Sequence, residues 1–597
     1  MAVLSRNEID SKYKWDLTRL FATDEEWEKE FAAIDGLAAE FSKRAGTLTS
    51  KEQVLEAFRA HAEILRRFEF LATYAMAKQN EDASVPLYQA MDDRTMSLGS
   101  RVVASAAFMT PELLALPEET LDGYEADPDF VDYNRLLSGI RRTRAHSLSR
   151  EGEQLLAMAG EALSAPDQAA EMLRGLDLKL GNVRDEQGQR VPLTDAGFVL
   201  FLESGDRRVR RTAFRKMMTG YASMGNTFAA LYAGQVKADL LYSRARNYDS
   251  CRAAIMDSEE VPESVYDSLI TAVHEGIGTL DAYLELRRKK IGVSRLHMYD
   301  LYYGNEQGFE IHPDIEESFD LFLKAVAPLG EDYVRDASRA LPERWIDVYE
   351  NEGKRSGAYS TGGAYGATPY VLLNHKNNYD GLSTLCHEMG HAMHSFYSNA
   401  AQPYPKADYS IFVAEVASTT NEILLNEYLR KQYKDDPAAQ RALVGNLLDH
   451  FRTTVFRQTL FAEFEHRAHQ LAEAGESLTS DRLSQLYLEI VKTYYGKKAS
   501  VDPCVASEWM RIPHFYSPFY VYKYATSFCA AISLARGILS GDPEKVTSYR
   551  RFLTLGSSLP PIEELRIAGV DLSTPEPVTQ ALDVFAELVY EYQTLLS

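Results

Sequence analysis

Cysteine is scarce in this sequence, and its cysteines are not closely paired. The 597 residues contain four cysteines and no CxxC pair. Neither a disulfide framework nor a thiolate metal site is expected from this pattern. A reducing compartment such as the cytosol suits the chain.

Long apolar runs and an excess of positive charge are also missing. No run reaches the roughly 18 to 20 apolar residues that a membrane span requires, and the opening MAVLSRNEIDSKYKW lacks the apolar core of a signal peptide. Lys and Arg number 64 against 87 Asp and Glu, which gives a net charge of −23. Such a chain would repel a phosphate backbone. We therefore expect a cytoplasmic protein with no nucleic-acid partner and no membrane association.

The composition is otherwise that of an ordinary folded protein, with 45% hydrophobic and 25% charged residues. Helical periodicity dominates four stretches, which are Thr23 to about Ala77, Ser147 to Leu176, Asp206 to about Lys237, and Leu382 to the end. An alternating segment, Leu178 to Pro192, predicts a β-hairpin. A glycine-rich break runs from Gly353 to Tyr379. The sequence predicts a mostly α fold with a little sheet, divided into an N-terminal domain 1–200 and a second domain 201–597.

An HExxH motif carries the first chemical signal. On a helix, His387 and His391 lie one turn apart, where two imidazoles can share a metal. Apolar residues at helical spacing form a stripe on the opposite side, so these histidines are expected on an open polar face together with His394. Glu388 lies about 100° round the helix from His387, which suits a general base acting on the attacking water. The alternative is a surface helix with solvated histidines.

A catalytic zinc needs a third protein ligand and one open position. The segment DYSIFVAEVASTTNE contains Asp408, Glu415 and Glu422 at intervals of seven, which places them on one helix face. Glu415 is predicted to be the ligand, and Glu422 or Asp408 to accept a hydrogen bond from a ligating imidazole. His394 lies about 10 Å along the helix from His387, too far to share the ion, and is expected to support the site or face the substrate.

The segment RIPHFYSPFYVYKYATSF combines one histidine with several tyrosines. Hydroxyl and imidazole N–H groups are donors suited to the oxyanion that forms when water attacks an amide. The alternative is an aromatic-rich buried helix whose hydroxyls bond locally.

Within the glycine-rich break, the segment GAYSTGGAYGATPYVLLN spans residues 357–374. Its strand from Tyr370 to Asn374 follows Pro369, which suits an edge strand, and an exposed edge can bind an extended peptide. Glycines allow close backbone approach. A plain hairpin is the alternative reading. No GxxxxGK[ST] is present, so these glycines are not a phosphate loop.

CHEMGHAMHS followed by FVAEVASTTNE resembles the oligoendopeptidase F family of zinc metallopeptidases, which is related to thimet oligopeptidase and neurolysin. The resemblance extends over nearly the whole chain and includes KYKWDLTRLF, GAYSTGGAYG and RIPHFYSPFYVYKYATSF. It implies a helical clamshell with a deep substrate channel, short unstructured oligopeptides as substrates, and one zinc ion per chain. The implied ligands are His387, His391 and Glu415, with Glu388 as general base and Glu422 behind the ligands.

The resemblance also implies a His and Tyr pair that stabilises the oxyanion. His514 and Tyr522 are the residues predicted for this role, with Tyr520 and Tyr524 as the alternative tyrosines. The residues predicted to bind substrate are Gly362, Gly363, Tyr520 and Tyr524.

The function predicted is a zinc endopeptidase that cleaves internal bonds of oligopeptides. Two alternatives stand beside it. One is a metallo-exopeptidase built on HExxH, disfavoured because GAMEN is absent and 23 residues separate His391 from Glu415. The other is a non-catalytic protein that binds peptides, disfavoured because every predicted catalytic residue is present. The oligomeric state is not predicted.

Overall fold

The computed structural model describes residues 4–303 and 309–597 and is mostly helical. The α-helices are α1 Asp24–Ser42, α2 Lys51–Glu81, α3 Pro86–Ser105, α4 Met109–Ala115, α5 Glu118–Ala126, α6 Asn134–Arg142, α7 Arg150–Leu163, α8 Ala165–Met172, α9 Asp195–Leu202, α10 Arg207–Ala222, α11 Gly225–Ala245, α12 Cys251–Ser258, α13 Glu263–Glu275, α14 Ile277–Lys290, α15 Ile315–Ala325, α16 Glu331–Ala337, α17 Tyr379–Ala401, α18 Tyr404–Ala407, α19 Ile411–Gln432, α20 Pro437–His450, α21 Arg457–Glu473, α22 Ser480–Tyr495, α23 Tyr522–Leu539, α24 Pro543–Phe552, α25 Pro561–Ile567 and α26 Glu576–Leu595. The strands are β1 Asn182–Arg184, β2 Arg190–Pro192, β3 Leu296–His297, β4 Ile346–Asp347, β5 Tyr359–Thr361, β6 Tyr370–Leu372 and β7 Ala499–Ser500. The predicted mostly α class is confirmed.

The strands form three small sheets. β1 and β2 pair antiparallel, which confirms the hairpin predicted from the alternating segment, and β3 pairs parallel with β7. In the third sheet the order is β4-β6-β5. The strand that follows Pro369 is therefore central, and its prediction as an edge strand is wrong. Pro369 precedes β6, so its missing N–H does not interrupt the ladder, and β5 is the edge strand on this side.

The chain divides into two compact units. The first consists of Met1–Ala145, Glu310–Leu429 and Ala531–Val570, and the second of His146–Phe309, Arg430–Ala530 and Asp571–Ser597. Each unit draws on three stretches, whereas the division predicted at residue 200 follows chain order and stays a prediction. Among the described residues, no helix combines the length and apolar character needed to cross a membrane.

Each unit has a core rich in aromatic side chains. In the first unit the buried cluster includes Trp15, Trp27, Phe58, Tyr74 and Tyr370. In the second, the ring of Tyr232 packs against those of Phe464, Trp509, Phe515 and Tyr516. These rings supply large buried apolar area in both units.

Capping residues explain where the first long helices begin. Thr23 accepts a hydrogen bond from Glu26 N at the start of α1, and Ser50 forms a capping box with Gln53 at the start of α2. Between them Gly46 has φ +83°, a left-handed conformation that favours glycine. The helical stretch predicted near the N-terminus is therefore two helices separated by a turn.

Helix α17 carries the HExxH motif and lies unusually close to α19. A Cβ atom at Gly390 would lie 2.5 Å from Ser418 Cα and 2.8 Å from Ala417 O. Asn421 of α19 donates a hydrogen bond to the Cys386 carbonyl of α17 at 3.2 Å. Glycine at position 390 is therefore what allows the two helix backbones to approach.

Replacing Gly390 with alanine should separate these helices. The new methyl group meets backbone rather than a flexible side chain, so we expect the free energy of unfolding to fall by about 1–3 kcal/mol, measured by denaturant titration. Gly36→Ala in α1 is the matched control, because nothing lies within 4 Å of its added Cβ. The control should be neutral or slightly stabilising, since alanine is the better helix former. Equal stability of the two variants would contradict the close approach.

Candidate metal centre

The orientation of α17 follows its apolar stripe. Leu385, Met389 and Ala392 have no exposed surface, whereas His387 and His391 remain partly exposed. The side chain of Asn378 caps the helix by accepting from Gly381 N at 2.9 Å. The stripe predicted from the sequence thus turns the two histidines away from the core.

Three potential ligand atoms converge at this face. His391 Nε2 lies 3.2 Å from His387 Nε2, and Glu415 Oε2 of α19 lies 3.4 Å from His387 Nε2 and 3.7 Å from His391 Nε2. Ligands 2.0–2.1 Å from a tetrahedral zinc are separated by about 3.4 Å. Within residues 4–303 and 309–597, this is the one group of three or more His, Cys, Asp or Glu residues that meets the spacing of a metal site. The donor set and its separations fit zinc.

Carboxylate and backbone groups hold the two imidazoles in place. His387 Nδ1 makes a short hydrogen bond with Glu422, and the backbone of Ala414 accepts from His391. With the outer nitrogens engaged, both Nε2 atoms turn toward the shared position. Ser418 Oγ donates to Glu415 Oε2 at 3.3 Å and steadies the third ligand.

The pKa values reflect this crowding. Burial disfavours a charged His387, but its contacts with Glu415 and Glu422 raise its pKa well above the ordinary value. Burial and the neighbouring His387 lower the pKa of His391 to about 4. Burial would raise the pKa of Glu415, yet its contacts with the two histidines bring it below the usual range. The charged carboxylate and a neutral His391 are the forms that bind a metal.

Glu388 lies beside these ligands in a different environment. Its side chain is 7% exposed, and burial raises its pKa to about 7. Such a carboxyl can accept and release a proton near neutral pH, as a general base requires.

Two sequence predictions for this region are wrong. Asp408 was expected on the same helix face as Glu415, about two turns before it, but α19 begins at Ile411, so Asp408 lies in the preceding loop. His394 was expected on the open face, but it is 1% exposed, with its ring stacked on Tyr409 at 3.7 Å. The loop before α19 folds over the second half of α17 and closes that face.

Tyr409 is a residue that the sequence analysis did not identify. Besides stacking on His394, its hydroxyl lies 2.8 Å from Ser395 Oγ and 3.4 Å from the carbonyl oxygen of His391. These contacts fix the turn of α17 that carries His391. No spacing could reveal this, since Tyr409 precedes the helix and shares no periodicity with it.

His514 and two of the predicted tyrosines cluster within the second unit. Tyr524 Oη lies 3.3 Å from His514 Nε2, and the rings of Tyr520 and Tyr524 are 5.4 Å apart. All three remain partly exposed. Burial lowers the pKa of His514, so its imidazole is neutral at pH 7.

Tyr522 lies apart from this group, and its predicted role needs correction. Its side chain has no exposed surface, its ring packs on Tyr266 at 5.0 Å, and its hydroxyl contacts Glu259. Successive residues at the start of α23 point in different directions, and Tyr522 points inward. The Tyr522 hydroxyl is therefore buried, whereas Tyr520 and Tyr524 remain partly exposed.

Gly362 and Gly363 follow the edge strand β5. A Cβ at Gly362 would lie 2.2 Å from Ser395 Cβ, and Asn399 donates to the Gly362 carbonyl at 3.0 Å. Gly363 has more space, with Thr361 Oγ1 3.7 Å from its would-be Cβ. Gly362 thus brings β5 against α17, while the substrate-binding role of both glycines stays a prediction.

Comparison with known proteins identifies the family. The family model described as "Peptidase family M3" matches residues 200–584, and "Oligopeptidase F" matches residues 112–179. The chain belongs to peptidase family M3. It is a metallo-endopeptidase of the oligoendopeptidase F type, as the resemblance implied.

Relatives of this M3 peptidase match it over almost its full length. Oligopeptidase PepF of Bacillus subtilis is 40% identical over 99% of this chain and 88% of its own. Group B oligopeptidase PepB of Streptococcus agalactiae is 38% identical over 99% and 98%. The crystal structure of oligoendopeptidase-F from Enterococcus faecium is 34% identical, with a TM-score of 0.75 over 96% of this chain and 99% of that one. A solved structure from Chlamydophila abortus gives a TM-score of 0.91 at 32% identity, covering 99% and 100%.

Substituting Glu422 tests how His387 is oriented. Glu422→Gln keeps the shape but weakens the acceptor at His387 Nδ1, so we expect the dissociation constant for zinc to rise by about 10- to 100-fold in competition with a chelating dye. Asp408→Asn is the control, since Asp408 lies outside α19, and its zinc affinity should match the parent enzyme. If Asp408→Asn weakened zinc binding and Glu422→Gln did not, the assignment of Glu422 would be wrong.

Proposed function

We propose that this M3 peptidase is a zinc-dependent endopeptidase that cleaves internal bonds of short, unstructured oligopeptides. The observation that carries the proposal is the set of three ligand-atom separations between His387, His391 and Glu415, from 3.2 to 3.7 Å. Two imidazoles and a carboxylate are the donor set of catalytic zinc, with a fourth position left for water or substrate.

Zinc held there would polarise the scissile carbonyl and make the attacking water more acidic. Glu388 takes the proton from that water and delivers it to the nitrogen of the leaving amine. Burial raises the pKa of Glu388 to about 7, close to the value at which one group serves well in both directions. Glu422 holds His387 through Nδ1, so that Nε2 would be directed at a metal bound between His387, His391 and Glu415.

His514 and Tyr524 are proposed as donors to the oxyanion of the tetrahedral intermediate, with Tyr520 beside them. Their support is the 3.3 Å contact between Tyr524 Oη and His514 Nε2 and their partial exposure. Tyr524 replaces Tyr522 in this proposal because Tyr522 is buried. Neutral O–H and N–H donors stabilise developing negative charge most strongly where water is excluded.

The edge strand β5 is proposed to bind the peptide main chain. Near its end, Gly362 lies against Ser395 of α17. Near its beginning, Gly357 lines a pocket of about 250 Å³ together with Gly381 and Thr384 of α17. β5 therefore runs alongside the turns of α17 that carry the zinc ligands. An extended peptide paired with this edge would be held by main-chain hydrogen bonds, largely independent of its sequence.

The first test is mass spectrometry of a mixed digest. Short peptides, long peptides and one folded protein are incubated together with the enzyme, with and without o-phenanthroline. We expect internal cuts confined to the short peptides and abolished by the chelator. Stepwise trimming from one terminus would indicate an exopeptidase, and no cleavage by zinc-loaded protein would indicate a peptide-binding protein.

Glu388→Gln separates proton transfer from metal binding. The amide keeps the size of the side chain but cannot accept the proton, so kcat should fall by at least about 10³-fold while zinc content stays near one per chain. Zinc is measured by atomic emission and kcat with a fluorogenic peptide. Loss of zinc in this variant would make Glu388 a ligand and refute its role as base.

A further inference from the structure

A buried glutamate that the proposed mechanism does not use lies beneath the His514 segment. Glu465, on α21, is 1% exposed, and its Oε1 accepts a hydrogen bond from Phe519 N at 2.8 Å. A carboxyl group is costly to bury unless it makes such contacts. The partner here is a backbone amide between His514 and Tyr524, so Glu465 reaches the segment that carries the proposed oxyanion donors.

The backbone at Phe519 is strained. Its φ is +51°, a left-handed conformation that non-glycine residues rarely adopt because it is sterically unfavourable. The side chain is fully buried, with its ring 4.8 Å from that of His469 and 5.9 Å from that of Tyr266. Such a conformation persists only where its surroundings hold it. The hydrogen bond from Phe519 N to Glu465 fixes the amide of this same residue.

The donor residues flank this point on both sides. The turn Pro513–Tyr516 carries His514, Tyr520 directly follows Phe519, and Tyr524 lies in the first turn of α23. His514 contacts Tyr524 Oη at 3.3 Å, and its ring stacks on that of Tyr520 at 6.2 Å. The chain reversal at Phe519 therefore sets how the three side chains meet.

Glu465 is itself anchored within the second unit. His469 Nδ1 contacts the main-chain carbonyl oxygen of Glu465 at 2.9 Å. His469 Nε2 contacts Asp239 Oδ2 of α11 at 3.1 Å. Both ring nitrogens face acceptors. Gln235 donates to the other oxygen of Asp239 at 3.0 Å. The chain of contacts runs from α11 through α21 to the amide of Phe519.

We propose that Glu465 is a positioning residue: through the Phe519 amide it holds His514, Tyr520 and Tyr524 in the arrangement that stabilises the oxyanion. This inference rests on the donor roles given under the proposed function. Glu465 touches neither substrate nor metal and acts only through the segment it holds.

The chemistry of Glu465 indicates which substitution should be harmless. Burial raises its pKa to about 8, so this carboxyl holds a proton more readily than an ordinary glutamate. Glutamine is uncharged, nearly the same size, and offers an oxygen to the Phe519 amide. Glu465→Gln should therefore keep kcat within about twofold of the parent enzyme, whereas Glu465→Leu removes the acceptor and leaves a buried N–H without a partner.

A double-mutant cycle with Tyr524→Phe tests the inference. Glu465→Leu should lower kcat by about tenfold or more with little change in KM, because the lost interaction belongs to the transition state. In the Tyr524→Phe background, the same substitution should cost much less, since the donor that it displaces is already absent. Should Glu465→Leu not fold, Glu465→Asp, which withdraws the carboxyl by one methylene, takes its place.

Tyr494→Phe is the control for a purely structural effect. Tyr494 lies on α22, and its hydroxyl is buried. It donates at 3.1 Å to Glu463, which lies on α21 as Glu465 does, but away from the His514 segment. Its loss should lower Tm and leave kcat unchanged. A fall in Tm without a fall in kcat for Glu465→Leu, or additive effects in the cycle, would overturn the positioning role.

A failure of the proposed oxyanion role of Tyr524 gives a different result from a failure of the Glu465 role. If Tyr524→Phe alone leaves kcat unchanged, Tyr524 is not an oxyanion donor, whatever Glu465 does. The cycle is then repeated with His514→Gln, and additivity there would overturn the positioning role as well.

Discussion

The metal centre depends on how closely α17 approaches α19. At Gly390 the two backbones leave no room for a methyl group, since a Cβ would lie 2.5 Å from Ser418 Cα. That approach brings Glu415 Oε2 to 3.4 Å from His387 Nε2 and puts Glu422 in contact with the other nitrogen of the same ring. A looser crossing would leave two histidines on one helix with no third ligand.

Three glutamates around the candidate metal site have different chemistry because their neighbours differ. Glu415 contacts both histidines, which keeps it ionised, whereas burial leaves Glu388 with a pKa of about 7. Glu422 lies behind His387 and contacts the Nδ1 of that ring, on the side away from Glu415. In the proposed mechanism, α17 and α19 thus supply a ligand, a base and an orienting acceptor from one residue type, separated by position and burial.

Local periodicity accounts for what the sequence could predict. Leu385, Met389 and Ala392 repeat at helical spacing, and that stripe correctly turned His387 and His391 outward. The same reasoning failed at His394, because Tyr409 from a separate loop stacks on its ring, and at Asp408, because the helix begins three residues later. Periodicity describes one helix, whereas these outcomes depend on what packs against it.

The tyrosine segment shows a second limit. Nothing in FYVYKY separates Tyr522 from Tyr520 and Tyr524, since all three carry the same hydroxyl. The choice is made by the backbone, which reverses at Phe519 with φ +51° and sends Tyr522 into the core. That reversal is held in turn by Glu465, 54 residues earlier in the chain. A conformation that a residue does not favour by itself is specified by distant contacts, so sequence reasoning could find the donor segment but could not select among its tyrosines.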